Sequence, residues 1–376
     1  MVKFSDLFYR YLTERGIERF TLKELHAFEK NLMELPDSPF LARYEEERAK
    51  RIATENILND RRLSREEKKE RIAERIFDDP ENIDYRIADF TLTSDFARAE
   101  EFYSQKVKEM LEGEFAGLDG FFGSFVFSKR ILDLGYLLFL HLVEKKDIRS
   151  AEAFGKAMVI LDAFDHHRVV GHLAFLYLSS NRNDDLMQLY LKIPFLSKEV
   201  HLAVFLSYLS EGNRTYAFQM NQILQKENPY LVWLILAPEL SAPFSGRAEF
   251  LLSEAKEIVG KLNLWLPERD RVDRFGKTED KGEFLIANLS PFEAHLIGLI
   301  GLNHCIRRGE LYDRTVGFLF EKTRDALKAT EKFDECIDKL EKEFYIKIER
   351  EEILLTALGE MAFAFGDAKK TIPVYS

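Results

Sequence analysis

Residues 198–231, KEVHLAVFLSYLSEGNRTYAFQMNQILQKENPYL, decide the fold. An apolar run at helical spacing ends at Ser210-Glu211-Gly212-Asn213, a second amphipathic run follows, and Asn228-Pro229 stops it. Gly212 permits a tight turn after the first helix, and Ala217 is small enough for the two helices to approach closely. Pro229 cannot continue the second helix. The stretch reads as an antiparallel helical hairpin.

Upstream segments echo it. Residues 132–165, LDLGYLLFLHLVEKKDIRSAEAFGKAMVILDAFD, place Ala151 at the close-packing position, and residues 167–197 place Ala174 and Tyr177 at matching sites with Leu186 in place of the small residue. Ala151, Leu186 and Ala217 lie 35 and 31 residues apart, a near-regular period of the kind that marks stacked repeats. A further degenerate unit runs from FDDPENIDYRIADF, beginning at Phe77, through FARAEEFYSQKVKEML, beginning at Phe96.

The unit at 198–231 resembles a tetratricopeptide repeat. Tyr208, Gly212, Ala217 and Pro229 match that pattern, while His201 stands at its tryptophan position and Phe205 at its first small position. The segment from Asp79 to about Pro238 is also similar to divergent bacterial tetratricopeptide proteins related to the suppression-of-tumorigenicity 7 family. That resemblance rests on FARAEEFYSQKV, GFFGSF, LDAFDHHRVVGHLAFLYL and NPYLVWLIL. Some bacterial relatives carry a cysteine-rich zinc tail that is absent here, so no metal role carries over. The resemblance implies an all-α fold of antiparallel hairpins in a right-handed superhelix, with N- and C-terminal helical extensions. The expected organisation is a charged helical region at 1–80, the repeat domain at 81–235 and a helical region at 236–376.

In such arrays the first helices of successive hairpins line a concave surface. By pattern position that surface consists of Tyr136, Leu140, Phe175, Ser179, Leu202, Leu206 and Leu209. It is mostly apolar, so it suits an amphipathic helix or hydrophobic peptide and lacks the cations that clamp a C-terminal carboxylate. The competing reading is that the chain's own helices fill it.

Composition narrows the function classes. The 376 residues are 46% hydrophobic and 32% charged, with 32 Phe and only 10 Pro and 19 Gly, which favours long helices over a turn-rich β fold. The net charge of −11 opposes nucleic acid, and the basic stretches at Arg48–Arg51 and Arg61–Arg75 are interleaved with acids, as on a solvated helix face. Two unpatterned cysteines, Cys305 and Cys336, fit a reducing cytoplasm and offer no zinc spacing. Neither a secretory leader nor a membrane span is expected.

Helix starts are legible at Thr21/Glu24, Ser64/Glu67 and Ser290-Pro291-Phe292-Glu293. The C-terminal helices are expected at 290–308, 311–328, 331–346 and 350–365, and the stretches 113–123 and 266–283 read as loops. Asp162-Ala163-Phe164-Asp165-His166-His167 contains metal-ligand types, but falls at a turn where Asp caps helices. Gly117, Gly120 and Gly123 lack the preceding strand that a phosphate loop needs. Cys305 shares an apolar helical stripe with Leu299, Leu302 and Ile306, which reads as a buried structural thiol. These features point to a non-catalytic adaptor without cofactor or metal that binds a protein or peptide, with homo-oligomerisation left open. The alternative is a peptide-sensing regulator whose DNA-binding helix-turn-helix is FSDLFYRYLTERGIERFTLKELHAFEKNLM, residues 4–33.

Overall fold

A computed structural model describes residues 4–17, 21–34, 38–118, 120–193, 197–228, 230–236, 246–267, 270, 275, 284, 289–343 and 345–365. Most of these residues are helical. They form two compact units, Met1–Leu173 and Ala174–Ser376.

The first unit contains α1 (Phe4–Glu14), α2 (Leu22–Glu34), α3 (Pro39–Asn59), α4 (Arg65–Asp78), α5 (Ile83–Thr93), α6 (Phe96–Glu112), α7 (Val126–Glu144) and α8 (Ile148–Leu161). Helix α9 (Val169–Ser179) begins in it. The caps follow the sequence. Ser64 and Glu67 close a reciprocal capping box on α4, and the Asn82 side chain accepts from the backbone N–H groups of Asp84 and Tyr85 at the start of α5. Helix α7 starts at Phe125, which has no capping side chain, and Glu29 of α2 supplies the missing acceptor to Val126 N at 2.9 Å.

Sequential helices pack as hairpins, α4 on α5, α6 on α7 and α7 on α8, while α3, α5 and α7 also touch in a row. Ile72 and Ile76 of α4 share one core with Tyr85, Ala88 and Leu92 of α5. The boundary expected at residue 80 therefore crosses a continuous core, and α3 belongs to the same row as the hairpins after it. A second core is aromatic. Phe4 and Phe8 of α1 meet Phe28, Phe115 and Phe125 with ring centroids 4.9–6.4 Å apart. Burying each ring contributes about 2–3 kcal/mol. The helix read as a DNA-recognition helix, α2, buries Leu25, Phe28 and Leu32, and Phe28 joins this core.

In the second unit, α10 (Asn183–Lys192), α11 (Lys198–Ser210), α12 (Arg214–Glu227), α13 (Tyr230–Leu236) and α14 (Gly246–Trp265) pack in sequence. The α11–α12 turn forms as read: Gly212 has φ +71°, and Asn213 N donates to Tyr208 O at 2.9 Å. Ala217 has no exposure. Pro229 and Pro238 lie outside the described residues, as does nearly all of 266–283.

The C-terminal part departs from expectation. Helix α15 (Pro291–Asn303) starts with the predicted Ser290/Glu293 capping box but stops at His304, and Ile306–Arg307 form a strand, β1. Helices α16 (Arg308–Thr323) and α17 (Ala326–Lys342) follow. The segment read as helix over 350–365 opens instead as a strand, β3 (Glu352–Leu355), paired antiparallel with β2 (Ile346–Glu349) and β1 before α18 (Ala357–Phe365). Arg350 and Glu351 take positive φ in the connecting turn, which no helix admits. Cys305 consequently sits outside the helix and partly exposed, and Leu302 is 53% exposed, so the buried stripe expected there does not form.

Candidate functional site

The first unit holds a cleft of about 400 Å³ between α3, α5, α6 and α7. Four apolar residues, Ile83, Met110, Phe127 and Ile131, contribute to its lining. Its lining charges are unequal: Glu46, Glu47, Asp79, Glu81, Asp84, Glu109 and Glu114 stand with Arg43, Lys50 and Lys106, while Arg130, outside the lining, holds Asp84. Each cation is already shared by two carboxylates. Arg43 pairs with Glu47 at 2.9 Å and Glu114 at 3.0 Å; Lys50 pairs with Glu46 at 2.6 Å and Asp79 at 2.8 Å. Lys106 pairs with Glu81 and Glu109. Arg43 also lies over the Phe127 ring, 4.4 Å from its centroid. Burial raises the Glu47 carboxyl, Arg43 works against it, and the charges of Asp84 and Glu114 add a smaller upward push.

Behind the cleft runs a chain of alternating charges. Asp84, 4% exposed, accepts from Arg130 Nε at 2.9 Å, and Arg130 also holds Asp133. Asp133 Oδ1 meets His167 Nε2 at 2.8 Å. His167 Nδ1 lies 3.9 Å from Asp162, an ion-pair distance too long for a hydrogen bond. Asp162 in turn accepts from the backbone N–H of His166 and contacts its Nδ1, both at 2.7 Å. Burial works against a charge on His167, but Asp133 and Asp162 outweigh it and raise its pKa to about 9. Burial likewise raises both carboxyls, and the histidines, with Arg130 at Asp133, bring them below their ordinary value.

Two motifs legible in the sequence meet here. A Cβ on Gly123 would lie 2.5 Å from Asp162 Oδ1 and 2.6 Å from His166 Nδ1, so only glycine lets the 117–123 loop close on the turn. Asp165 accepts from Val170 N at the start of α9, the capping role expected for this turn. No group of three or more His, Cys, Asp or Glu among the described residues could hold a metal ion. No helix among them is long and apolar enough to cross a membrane.

The residues expected to line an apolar groove divide. Phe175, Leu202 and Leu206 have no exposure and fill core positions, so as folded they offer no surface to a partner. Tyr136 and Leu140 are half-buried, with the Tyr136 hydroxyl 3.3 Å from His172 Nε2. Ser179 and Leu209 are half-buried as well, and the Ser179 hydroxyl donates to Leu176 O. The apolar pattern alone does not distinguish a lining position from a core position. The cleft escaped sequence reading because its charges come from three helices and the segments between them. The available signal was the spacing of Arg43, Glu47 and Lys50 on α3, which resembles an ordinary solvated face.

Comparison of the chain with protein-family models, curated proteins and solved structures finds no match.

Proposed function

We propose that the protein is a non-catalytic scaffold of tetratricopeptide-like hairpins that binds a basic segment of another protein in the α3/α5/α6/α7 cleft. The row of α3, α5 and α7 supports the repeat reading, since stacked hairpins bring alternate helices together in this way. The observation that carries the binding reading is the cleft's seven carboxylates against three doubly committed cations. An incoming Lys or Arg supplies the missing charge, and apolar side chains can rest on Phe127 and Ile131. The adaptor role expected from sequence is thereby moved from the buried Phe175, Leu202 and Leu206 to this surface.

The test is fluorescence anisotropy with a labelled Lys/Arg-rich helical peptide, on the wild type and on a Glu46→Lys/Asp79→Lys variant that retains the wild-type circular dichroism. Binding that weakens with salt and falls at least tenfold in the variant is expected. Absence of binding, or binding indifferent to the charge reversal, refutes the reading.

A further inference from the structure

On the second unit, α12 presents Asn221 and Gln225 one helical turn apart, and both donate to a single backbone carbonyl, that of Phe284, at 2.5 and 2.6 Å. The Phe284 ring, 1% exposed, sits edge-on to Phe205 of α11 with centroids 5.5 Å apart and stacks on Phe218 of α12 at 4.8 Å. The hairpin thus holds one aromatic side chain together with the carbonyl of the same residue. Side-chain amides recognise a peptide backbone independently of its sequence, and the ring pocket adds an aromatic anchor.

The fit is incomplete. Asn221 has no exposure, and its Oδ1 has no hydrogen-bond partner. A side-chain amide is fully matched by a carbonyl and an N–H together. Phe284 supplies the carbonyl to Asn221 and leaves the acceptor unused, a costly state for a buried polar atom. The hairpin also departs from its repeat pattern at this point, with Phe205 where a small residue is expected.

We propose that the α11–α12 hairpin is a recognition site for an aromatic-anchored peptide segment of a second protein, and that Phe284 occupies it in cis as a competing stand-in. The occupying ligand presents a Phe-type ring, its backbone carbonyl to Asn221 and Gln225, and an N–H to Asn221 Oδ1. The site does not depend on the acidic cleft.

The experiment uses the full chain and a fluorescent peptide of residues 278–290, TEDKGEFLIANLS. The Phe284→Ala protein is expected to bind it at least tenfold more tightly than the wild type. A peptide itself carrying Phe284→Ala is expected not to bind, and Asn221→Ala added to the Phe284→Ala protein is expected to lower affinity at least tenfold. Equal binding by wild type and Phe284→Ala, binding of the ring-less peptide, or indifference to Asn221→Ala overturns the proposal. Should Phe284→Ala not fold, the wild type decides with the same peptide bearing a fluorinated ring at its phenylalanine: a fluorine signal shifted and broadened on adding protein, a change lost when Asn221→Ala is introduced, supports displacement, and a fluorine signal unchanged by a stoichiometric excess of protein refutes it. The probe carries three acidic residues and one lysine, so the carboxylate-rich cleft repels it and the two readings fail separately.

Discussion

Replacing His167 by Gln removes one charge from the middle of the Asp84–Arg130–Asp133–His167–Asp162 chain while keeping a polar side chain of similar reach. The His167 side chain is 12% exposed, so solvent screens its partners weakly. Its pKa rises from 6.5 to about 9 in the fold. That difference corresponds to about 3 kcal/mol of stability. The sign follows from linkage: with the folded value above the unfolded one, the contribution is complete below pH 6.5 and disappears as pH climbs to about 9. With a urea slope of about 2 kcal/mol per molar, the wild-type midpoint of the first unit falls by about 1.5 M across that window. The His167→Gln protein starts low and, once the pH has passed the value of about 7 at which Glu29 titrates, stays level. Both tryptophans, Trp233 and Trp265, lie in the second unit, so their fluorescence serves as an internal control while far-UV circular dichroism follows all helices. A wild-type dichroism transition unmoved between pH 6 and 9.5, or a variant that declines in parallel with it, refutes the reasoning.

Gly123→Ala drives a methyl group into Asp162 and His166 and is expected to cost about 1–3 kcal/mol, read by thermal unfolding together with a displaced His166 ring resonance. Burial raises Glu29 to about pH 7, against the Val126 N–H that favours its charge. The folded state therefore favours the neutral acid, and stability declines as pH rises from 4.5 through 7. Glu29→Gln keeps an acceptor for Val126 and is expected to gain up to about 3 kcal/mol at pH 8 with no gain at pH 4, measured by urea titration. Asn82→Ala strips the cap from two backbone donors of α5 and is expected to cost about 1 kcal/mol in the same assay, whereas an unchanged midpoint would remove the cap from the account.

Local chemistry was the legible part of this chain. Ser64, Ser290 and Gly212 each act within a few residues of themselves, and the caps and turn they imply form as read. The short strands around Arg350 were missed because Ile346–Glu349 and Glu352–Leu355 span four residues each, too few for a period of two to stand out from a helical pattern. Phe175, Leu202 and Leu206 show the same limit on another scale: an apolar residue facing a groove and one facing a core obey one pattern, and only the packing around them tells the two apart. The cleft and the Phe284 contact are non-local. Arg43 meets Glu114 across 71 residues, and Asn221 meets Phe284 across 63. Neither pairing leaves a mark in any single stretch of sequence.

That last separation has a meaning in time. A chain made at roughly 5–20 residues per second completes α12 and then waits about 3–11 s before the residue that seats against Asn221 has been added. For that interval the hairpin has its turn, its close-packed Ala217 and both aromatic walls, but not the ring that fills them. A nascent chain held just short of residue 284 is therefore a natural preparation of the vacant hairpin, and any factor that recognises it has its best opportunity before synthesis ends.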